Sequence, residues 1–153
     1  MTPETIRAAV PADIDAIAGF NAAMAWETEQ RRLDPATLRA GVAAVLADPA
    51  HGFYRVAERD GEVVACLLVT YEWSDWRNGR WWWLQSVYVA PAARGQGLFG
   101  RMYRALRDQA RATPGVCGLR LYVEHDNARA QAVYAALGMT PEPYRILHDP
   151  FRD

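Results

Sequence analysis

The order of apolar and polar positions predicts that the chain begins with a short strand and two helices. Residues 6–10 form an apolar run that ends at Pro11, which indicates a first strand. Pro11-Ala12-Asp13 then opens a helix, because proline and an acidic residue both favour the first helical turn. Asp34-Pro35 opens a second helix in the same way, and its apolar positions keep helical spacing until Asp48.

The middle of the chain predicts three consecutive antiparallel strands. Residues 53–59 and 62–73 are strand-like and are separated by Asp60-Gly61, a strong signal for a two-residue hairpin turn. The second of these strands is apolar at every position from 63 to 69, which is typical of a central strand buried on both faces. Asn78-Gly79 indicates a second hairpin turn leading into a strand at 81–89.

The second half of the chain changes to alternating helices and strands. A glycine-rich loop precedes an amphipathic helix that begins near Leu98 and continues through Met102 and Leu106. Residues 119–123 predict another strand, residues 127–137 a helix closed by Gly138, and residues 144–147 a last short strand. The order β-α-α-β-β-β-α-β-α-β predicts a mixed α/β sheet in one domain spanning residues 1–153.

Composition excludes several classes of function. The 153 residues carry a net charge of -1, so the basic stripe of a nucleic-acid-binding protein is missing. Cys66 and Cys117 lack the spacing of a disulfide framework or a metal site. The start of the chain does not have the pattern of a signal peptide, and the apolar runs are far shorter than a membrane span. We therefore expect a cytoplasmic protein without a metal ion or a membrane anchor.

The loop at residues 94–100 predicts a phosphate-binding turn. Glycines at 95, 97 and 100 let backbone N–H groups approach a phosphate closely. The helix that follows directs its unpaired N–H groups and positive dipole end to the same point. Arg94 and Arg101 flank the loop and add positive charge.

The same glycines also spell G-x-G-x-x-G, the fingerprint of dinucleotide-binding folds, with Glu124 near the position of the ribose carboxylate. Two observations argue against that interpretation. In the dinucleotide fold the turn follows directly on its strand, whereas residues 90–94 intervene here. That fold also needs repeated βαβ units, and antiparallel hairpins precede the loop in this chain.

Taken together, these motifs resemble the GNAT superfamily of N-acetyltransferases over nearly the whole chain, and residues 70–89 are similar to one bacterial branch of it. The phosphate loop of that family, Arg/Gln-x-x-Gly-x-Gly/Ala, is matched by the segment that begins at Arg94, with Phe99 in place of the last small residue. Asn127 and Tyr134 match the family's downstream asparagine and tyrosine, which lie seven residues apart on a helix. Leu137-Gly138-Met139 is similar to the usual Leu-Gly-Phe ending of that motif.

The resemblance implies that strands 81–89 and 119–123 run parallel and splay apart, with acetyl-CoA lying between them. The pantetheine arm would pair with the backbone of strand 81–89, the pyrophosphate would rest on the glycine loop, and Asn127 would bind the arm. The cofactor-binding residues implied in this way are Val87, Tyr88, Val89, Arg94, Gly95, Gln96, Gly97, Leu98, Phe99, Gly100, Arg101, Asn127 and Tyr134.

By the same resemblance, Tyr134 approaches the sulfur of CoA and acts as the catalytic acid. A neutral tyrosine, with a pKa near 10, can protonate a leaving thiolate whose conjugate acid has a pKa of about 8.5. A backbone N–H at or near Val89 would hold the oxyanion. Family members often place a glutamate base on the strand before the loop, but the corresponding stretch 82–86 has no carboxylate. Glu72 is the substitute assigned as base, with Glu27 and Glu29 as alternatives, each acting through water.

A cluster of tryptophans around the second hairpin suggests the class of acceptor. Strand alternation places Trp81 and Trp83 on one face of the sheet and Trp82 on the other. Much of this cluster is expected to be core packing, and the remainder would suit a cation. We expect a small, positively charged primary amine as the acceptor; the residues assigned to bind it are Glu27, Trp73, Asp75, Trp76 and Trp83.

Three other interpretations remain open from the sequence. One is an acyltransferase that uses another acyl-CoA or an oxygen acceptor. Another is a CoA-binding sensor with little turnover, since Trp83 stands at the usual glutamate position. A third alternative is an interaction module that uses exposed tryptophans of the hairpin. Dimers are common in the family, and residues 144–151 are the segment that would contribute to a homodimer.

Overall fold

The computed structural model describes residues 3–152 and divides into two compact units, Met1–Tyr122 and Val123–Asp153. The first unit contains all five strands of the described chain and the second contains its last helix. Within residues 3–152, the helices are too short or too polar to cross a membrane. The elements, in chain order, are β1 (Thr5–Ala8), α1 (Ile14–Glu29), α2 (Pro35–Ala47), β2 (Phe53–Arg59), β3 (Glu62–Ser74), β4 (Gly79–Val89), α3 (Leu98–Ala112), β5 (Val116–Leu121) and α4 (Ala128–Ala136).

The strands form one sheet in the order β1-β2-β3-β4-β5. Neighbouring strands from β1 to β4 are antiparallel, whereas β4 and β5 are parallel. The parallel pair is connected through α3, as a parallel connection requires a crossover. The mixed α/β sheet with antiparallel hairpins and one parallel strand pair confirms the predicted fold class.

The two faces of the sheet carry different helices. On the first face, α1 and α2 cover a buried cluster that includes Ile17, Val42, Val56, Cys66 and Leu68. Because side chains alternate along a strand, the neighbours of Cys66 and Leu68 on β3 point to the second face. Two of them, Leu67 and Val69, are completely buried. From the same face Arg55 hydrogen-bonds Gln109 of α3 over 3.0 Å, which places α3 on the second face.

Local sequence signals account for the elements that were predicted correctly. Asp60 and Gly61 have φ angles of 52° and 81°, as a two-residue hairpin turn requires, and they join β2 to β3. The Asp34 side chain accepts the Thr37 N–H over 2.9 Å and so caps the first turn of α2. In the second unit, Gly138 has a φ of 95° just beyond α4, as its predicted role requires.

The predicted two-residue turn at Asn78-Gly79 is wrong in its detail. The hairpin forms, but Ser74 pairs with Gly79, so the loop contains the four residues 75–78. Asn78 has a positive φ of 49°, whereas Gly79 is the first residue of β4. A Cβ at Gly79 would lie 2.8 Å from the carbonyl oxygen of Gly115, so this glycine is required for a close backbone approach.

Three predicted strands also differ from the structure. The first strand ends at Ala8 instead of residue 10, because residues 11–13 already form a 3₁₀ turn. The strand predicted at 119–123 occupies Val116–Leu121, since its pairing with β4 begins at Val116 and ends at Leu121. Residues 144–147 form no strand; prolines at 141, 143 and 150 interrupt this tail, and Leu147 is 90% exposed.

Candidate functional site

The parallel strands β4 and β5 separate before β4 ends. Their last paired residues are Leu84 and Leu121, after which β4 continues for five residues, 85–89. We call the opening beyond this last pair the fork. The Ala90 N–H bonds the Val64 carbonyl of β3, so strand alternation directs the peptide groups of Val89 to the fork side. The fork therefore leaves the peptide groups of Val89 available to an extended ligand, and the pairing of the pantetheine arm along residues 87–89 stays a prediction.

A β-bulge lies at the start of the fork. On β3, Cys66 pairs with Tyr88 and Leu68 with Gln85, so two β4 residues lie opposite one β3 residue. The first of the two, Ser86, has a φ of 49°, which is uncommon for a non-glycine residue inside a strand. Bulges with such a backbone are concentrated next to active sites, where they redirect a strand.

The glycine loop follows the fork and leads directly into α3. A 3₁₀ turn at Pro91–Ala93 separates the loop from β4. In a dinucleotide-binding fold the glycine turn would follow directly on the strand, so this separation agrees with the argument from the sequence against that fold. Gly95 and Gly97 both have φ angles of 74°, and a Cβ would meet no heavy atom closer than 3.8 Å at either position. These two glycines are therefore required by their backbone conformation and not by crowding. Gly97 is the N-cap of α3, so the helix N-terminus faces the loop.

Arginines and one buried glutamate fasten this loop. Arg101 donates to the Gln96 carbonyl over 3.0 Å and also to the carboxylate of Glu4. Arg59 contacts the other oxygen of Glu4 and the Gln96 side chain, the latter over 2.8 Å. The Arg59 guanidinium, by its hydrogen bond, lowers the pKa of Glu4. Two arginines, Arg59 and Arg101, therefore lie beside the loop that would receive an anionic ligand, and the carboxylate of Glu4 holds both of them in place. Phe99, the bulky residue in the motif, packs beside Tyr103 with ring centroids 6.2 Å apart.

Arg94, the first residue of the loop motif, points toward the fork. Its Nε donates to the Val89 carbonyl over 2.8 Å, and its Nη2 donates to Glu27 Oε1 over 2.8 Å. Glu27 also accepts the Tyr88 hydroxyl, and Tyr88 stacks on Phe20 of α1. The Tyr88 hydroxyl and the Arg94 guanidinium lower the pKa of Glu27, and the pKa of Arg94 is raised in turn by Glu27. The last turn of α1 is thereby connected to both β4 and the loop.

A second group of side chains lies on the first face of the sheet, next to the fork. Glu72 accepts the Trp83 indole N–H over 2.8 Å and an Arg120 N–H over 3.0 Å, one on each carboxylate oxygen. The Arg120 guanidinium lies 3.9 Å from the centroid of the Trp81 ring, and Tyr122 packs on Trp83 with centroids 4.5 Å apart. We call these five residues the Glu72 cluster. β3 thus supplies a carboxylate beside Trp83, where β4 has none.

The residues predicted to bind the acceptor are not all on one face. Trp83 and Glu72 share the first face, whereas Trp73 pairs with Arg80 and, by alternation, belongs to the second face. Trp73 is 59% exposed, and Trp76 lies in the hairpin loop with Asp75 and is 87% exposed. The alternation predicted for the three consecutive tryptophans is confirmed, since Trp82 is buried against Phe53 and the other two contact Arg120.

The unit Val123–Asp153 carries the other two predicted site residues. Asn127 caps α4, its side-chain oxygen accepting the Ala130 N–H over 3.0 Å. Tyr134 follows seven residues later on the same helix, which returns it to nearly the same side about 10 Å further along the axis. Burial raises the pKa of Tyr134, which keeps its hydroxyl protonated at neutral pH. In the part of the chain that the structure describes, histidine, cysteine and carboxylate side chains form no group of three that would hold a metal ion.

Sequence reasoning missed several members of these clusters. Arg120 and Tyr122 were not assigned, although their alternation on β5 and just beyond it places one side chain beside Trp81 and the other beside Trp83. Glu27 was assigned to the acceptor, but its pairing with Arg94 spans 67 positions and has no local signal. The usable signal was Tyr88, which lies within three residues of the loop's 3₁₀ turn and needs a partner for its hydroxyl when buried.

Comparison with known proteins agrees with this geometry. A model of the acetyltransferase (GNAT) family matches residues 16–139. A mycothiol acetyltransferase of Amycolatopsis mediterranei is 38% identical over 141 residues, covering 89% of this chain and 46% of that protein. The chain thus spans about half the length of the curated relatives it matches.

Two solved structures extend the comparison. A possible acetyltransferase from Clostridium difficile 630 is 39% identical, with a TM-score of 0.91 and 99% coverage of both chains. A predicted acetyltransferase from Clostridium acetobutylicum, solved with acetyl-CoA, is 16% identical with a TM-score of 0.78, covering 95% of this chain and 96% of that one, and shares the fold. The family match includes the fork, the glycine loop and the pair Asn127 and Tyr134. With its forked parallel strands and its glycine loop at a helix N-terminus, the chain belongs to the GNAT family of acetyltransferases.

Proposed function

We propose that this chain binds acetyl-CoA at the fork and transfers the acetyl group to the primary amine of a small, cationic acceptor. The observation that carries the proposal is the fork itself, which opens at the Ser86 bulge and is followed by the glycine loop. An extended pantetheine arm pairs with the free backbone groups of β4 beyond Leu84. The diphosphate accepts N–H groups from the loop and the start of α3.

The reaction proceeds by direct attack of the amine on the thioester while both ligands are bound. The amine nitrogen forms a bond to the carbonyl carbon, and a backbone N–H of β4 exposed in the fork near the Ser86 bulge stabilises the oxyanion. When the carbon–sulfur bond breaks, Tyr134 donates its proton to the leaving thiolate. The proton that the attacking nitrogen loses as the amide forms returns to Tyr134 through solvent. The role requires a protonated hydroxyl at neutral pH, and burial, which raises the pKa of Tyr134, keeps it in that form.

Glu72 takes the place of the glutamate that β4 lacks. Its carboxylate is held by the Trp83 indole N–H and by Arg120, on the face of the sheet next to the fork. It attracts the ammonium form of the acceptor and, through a water molecule, accepts the proton that the ammonium group loses before the amine attacks. Trp83 and Tyr122 add aromatic faces beside it, which favour a cation. Glu27 reaches the fork from α1 through Tyr88 and Arg94, and Asp75 and Trp76 form outer contacts in the hairpin loop. Trp73 lies on the other face of the sheet and is left out of this site.

The proposal is tested by measuring CoA binding and acetyl transfer separately. Binding of CoA should stabilise the protein by about 2.7 kcal/mol at 100 times its Kd, which a thermal melt detects. Acetyl-CoA is then incubated with a panel of diamines, aromatic monoamines, amino acids and amino sugars, and thiol release and product mass are recorded. The expected result is N-acetylation of at least one cationic amine. Absence of CoA binding contradicts the proposal, and binding without transfer across the panel favours a CoA-binding sensor.

Variants on each side of the site separate its parts. Glu72→Gln should lower kcat/KM for the acceptor and leave CoA affinity unchanged, whereas Glu62→Gln, an exposed glutamate at the start of the same strand, should change neither. Asp75→Asn and Trp76→Ala should raise the acceptor KM without affecting CoA binding. Unchanged acceptor kinetics in both of these variants would remove the hairpin loop from the acceptor site.

A further inference from the structure

The side chain of Arg94 is turned away from the loop whose motif it begins. Its Nε donates to the Val89 carbonyl, its Nη2 donates to Glu27, and its guanidinium lies 5.3 Å from the centroid of the Tyr88 ring. These partners belong to the end of β4 and to the last turn of α1. In this position the guanidinium neutralises a carboxylate at the fork.

Glu27 is bound on both carboxylate oxygens, and the pair is accessible to ligands. Oε1 accepts from Arg94 over 2.8 Å, and Oε2 accepts from the Tyr88 hydroxyl. The side chains of Arg94 and Glu27 are 45% and 39% exposed. An ion pair this exposed is weak, because water screens both charges. A diphosphate offers Arg94 more than one charge and bidentate acceptors, so it competes well with a single carboxylate.

Resting on the proposed function, we infer that Glu27 is an internal counter-ion for Arg94 that the diphosphate of CoA displaces. In the ligand-free protein Glu27 occupies the guanidinium. When CoA binds, Arg94 exchanges its hydrogen bond to Glu27 for one to the diphosphate on the glycine loop. Glu27 keeps the Tyr88 hydroxyl and presents its other oxygen to the fork.

The exchange links the two ligands of the reaction. Before CoA binds, the carboxylate of Glu27 is neutralised and attracts an ammonium group only weakly. After the exchange it carries an uncompensated negative charge beside Tyr88, which adds to the attraction of the fork for a cationic acceptor. Glu27 therefore lowers the affinity for CoA and raises that for the acceptor once CoA is in place.

Calorimetric titration of CoA into five proteins tests the inference: wild type, Glu27→Gln, Glu29→Gln, Arg94→Gln and the double variant Glu27→Gln/Arg94→Gln. Glu27→Gln should bind CoA about twofold to fivefold more tightly, the range expected for loss of an exposed ion pair. Glu29 is on the same helix, two residues away and on another side, so Glu29→Gln removes the same charge and should leave the Kd unchanged. Arg94→Gln should weaken binding, and the double variant should bind as weakly as Arg94→Gln alone.

Titration with S-acetylpantetheine, which lacks the diphosphate, provides the matched ligand control. Glu27→Gln should not tighten binding of this probe. The inference is overturned if Glu27→Gln leaves CoA affinity unchanged or weakens it, or if it tightens binding equally without Arg94 or without the diphosphate. Thermal melts without ligand verify folding, and Glu27→Ala repeats the test if the glutamine variant is unstable. Failure of wild type to bind CoA at all would instead contradict the proposed function.

Discussion

Replacing Gly118 by alanine tests the close packing between β5 and the Glu72 cluster. A Cβ at this position would lie 2.4 Å from Cζ3 and 2.9 Å from Cε3 of Trp81. Ordinary contacts begin near 3.4 Å, so the indole must retreat by about 1 Å. The guanidinium groups of Arg120 and Arg77 lie 3.9 Å and 4.8 Å from the Trp81 ring centroid and must move with it.

The expected cost follows from this crowding. One extra methyl group that forces a packed ring from its position destabilises a protein by about 1–3 kcal/mol. Urea unfolding followed by far-UV circular dichroism measures the change in the free energy of unfolding. Gly41→Ala is the matched control, because Gly41 lies within α2 and a Cβ there would meet no atom within 4 Å. This control should stabilise the protein by about 0.5–1 kcal/mol, since alanine is the better helix former.

The two glycine variants therefore carry the same chemical change and opposite expected signs. A Gly118→Ala protein as stable as wild type, with Gly41→Ala behaving as expected, would refute the reasoning about Trp81. A functional measurement accompanies the stability measurement. Displacing Arg120 should disturb Glu72 and raise the acceptor KM, while the Kd of CoA, whose binding uses the fork and the loop, stays the same.

Three further predictions concern titratable groups. Tyr134→Phe should lower kcat by about 100-fold or more and preserve CoA affinity in a binding titration, because it removes only the proton donor. The hydrogen bond from Arg7 lowers the pKa of Asp13, so the charged carboxylate stabilises the fold above the unfolded-state pKa of about 3.9, and this stability is lost as the pH falls through the lower folded value. Asp13→Asn should therefore flatten the acid side of a plot of urea midpoint against pH. An acid side unchanged from wild type would count against this pair. Burial raises the pKa of Cys66 to about 12, whereas Cys117 is exposed, so a native-state thiol assay should show one fast-reacting group that Cys117→Ser removes.

The parts of the fold that the sequence predicted well are those determined by local chemistry. The Asp60-Gly61 turn needs two residues that tolerate positive φ, and Asp34 caps α2 through its own side chain. The glycine loop was found for the same reason, because its glycines and the following helix act over a few residues. Such features depend on neighbours in the chain, and a single sequence displays them directly.

The features that could not be predicted depend on residues far apart in the chain. The positive φ of Ser86 has no local signal, since serine has no preference for that conformation inside a strand. The bounds of β5 are set by its pairing with β4. A short segment such as 144–147 becomes a strand only when it can pair with the edge of a sheet. The hydrogen bonds of Glu72 to Trp83 and Arg120 join three strands. Alternation along each strand predicts which face of the sheet a side chain lies on, but it does not predict which side chains of other strands it contacts.

The bulge at Ser86 also changes which side chains β4 can bring to one face. In a regular strand, residues of one parity share a face, so Trp83 and Tyr88 would lie on opposite sides of the sheet. The extra residue shifts the count by one. As a result, Trp83, which contacts Glu72, and Tyr88, which contacts Glu27, lie on the same face of the sheet. Deleting one residue at the bulge would restore the regular count and send Tyr88 to the side of α3. Because of this one extra residue, β4 can donate hydrogen bonds to both carboxylates, from Trp83 to Glu72 and from Tyr88 to Glu27.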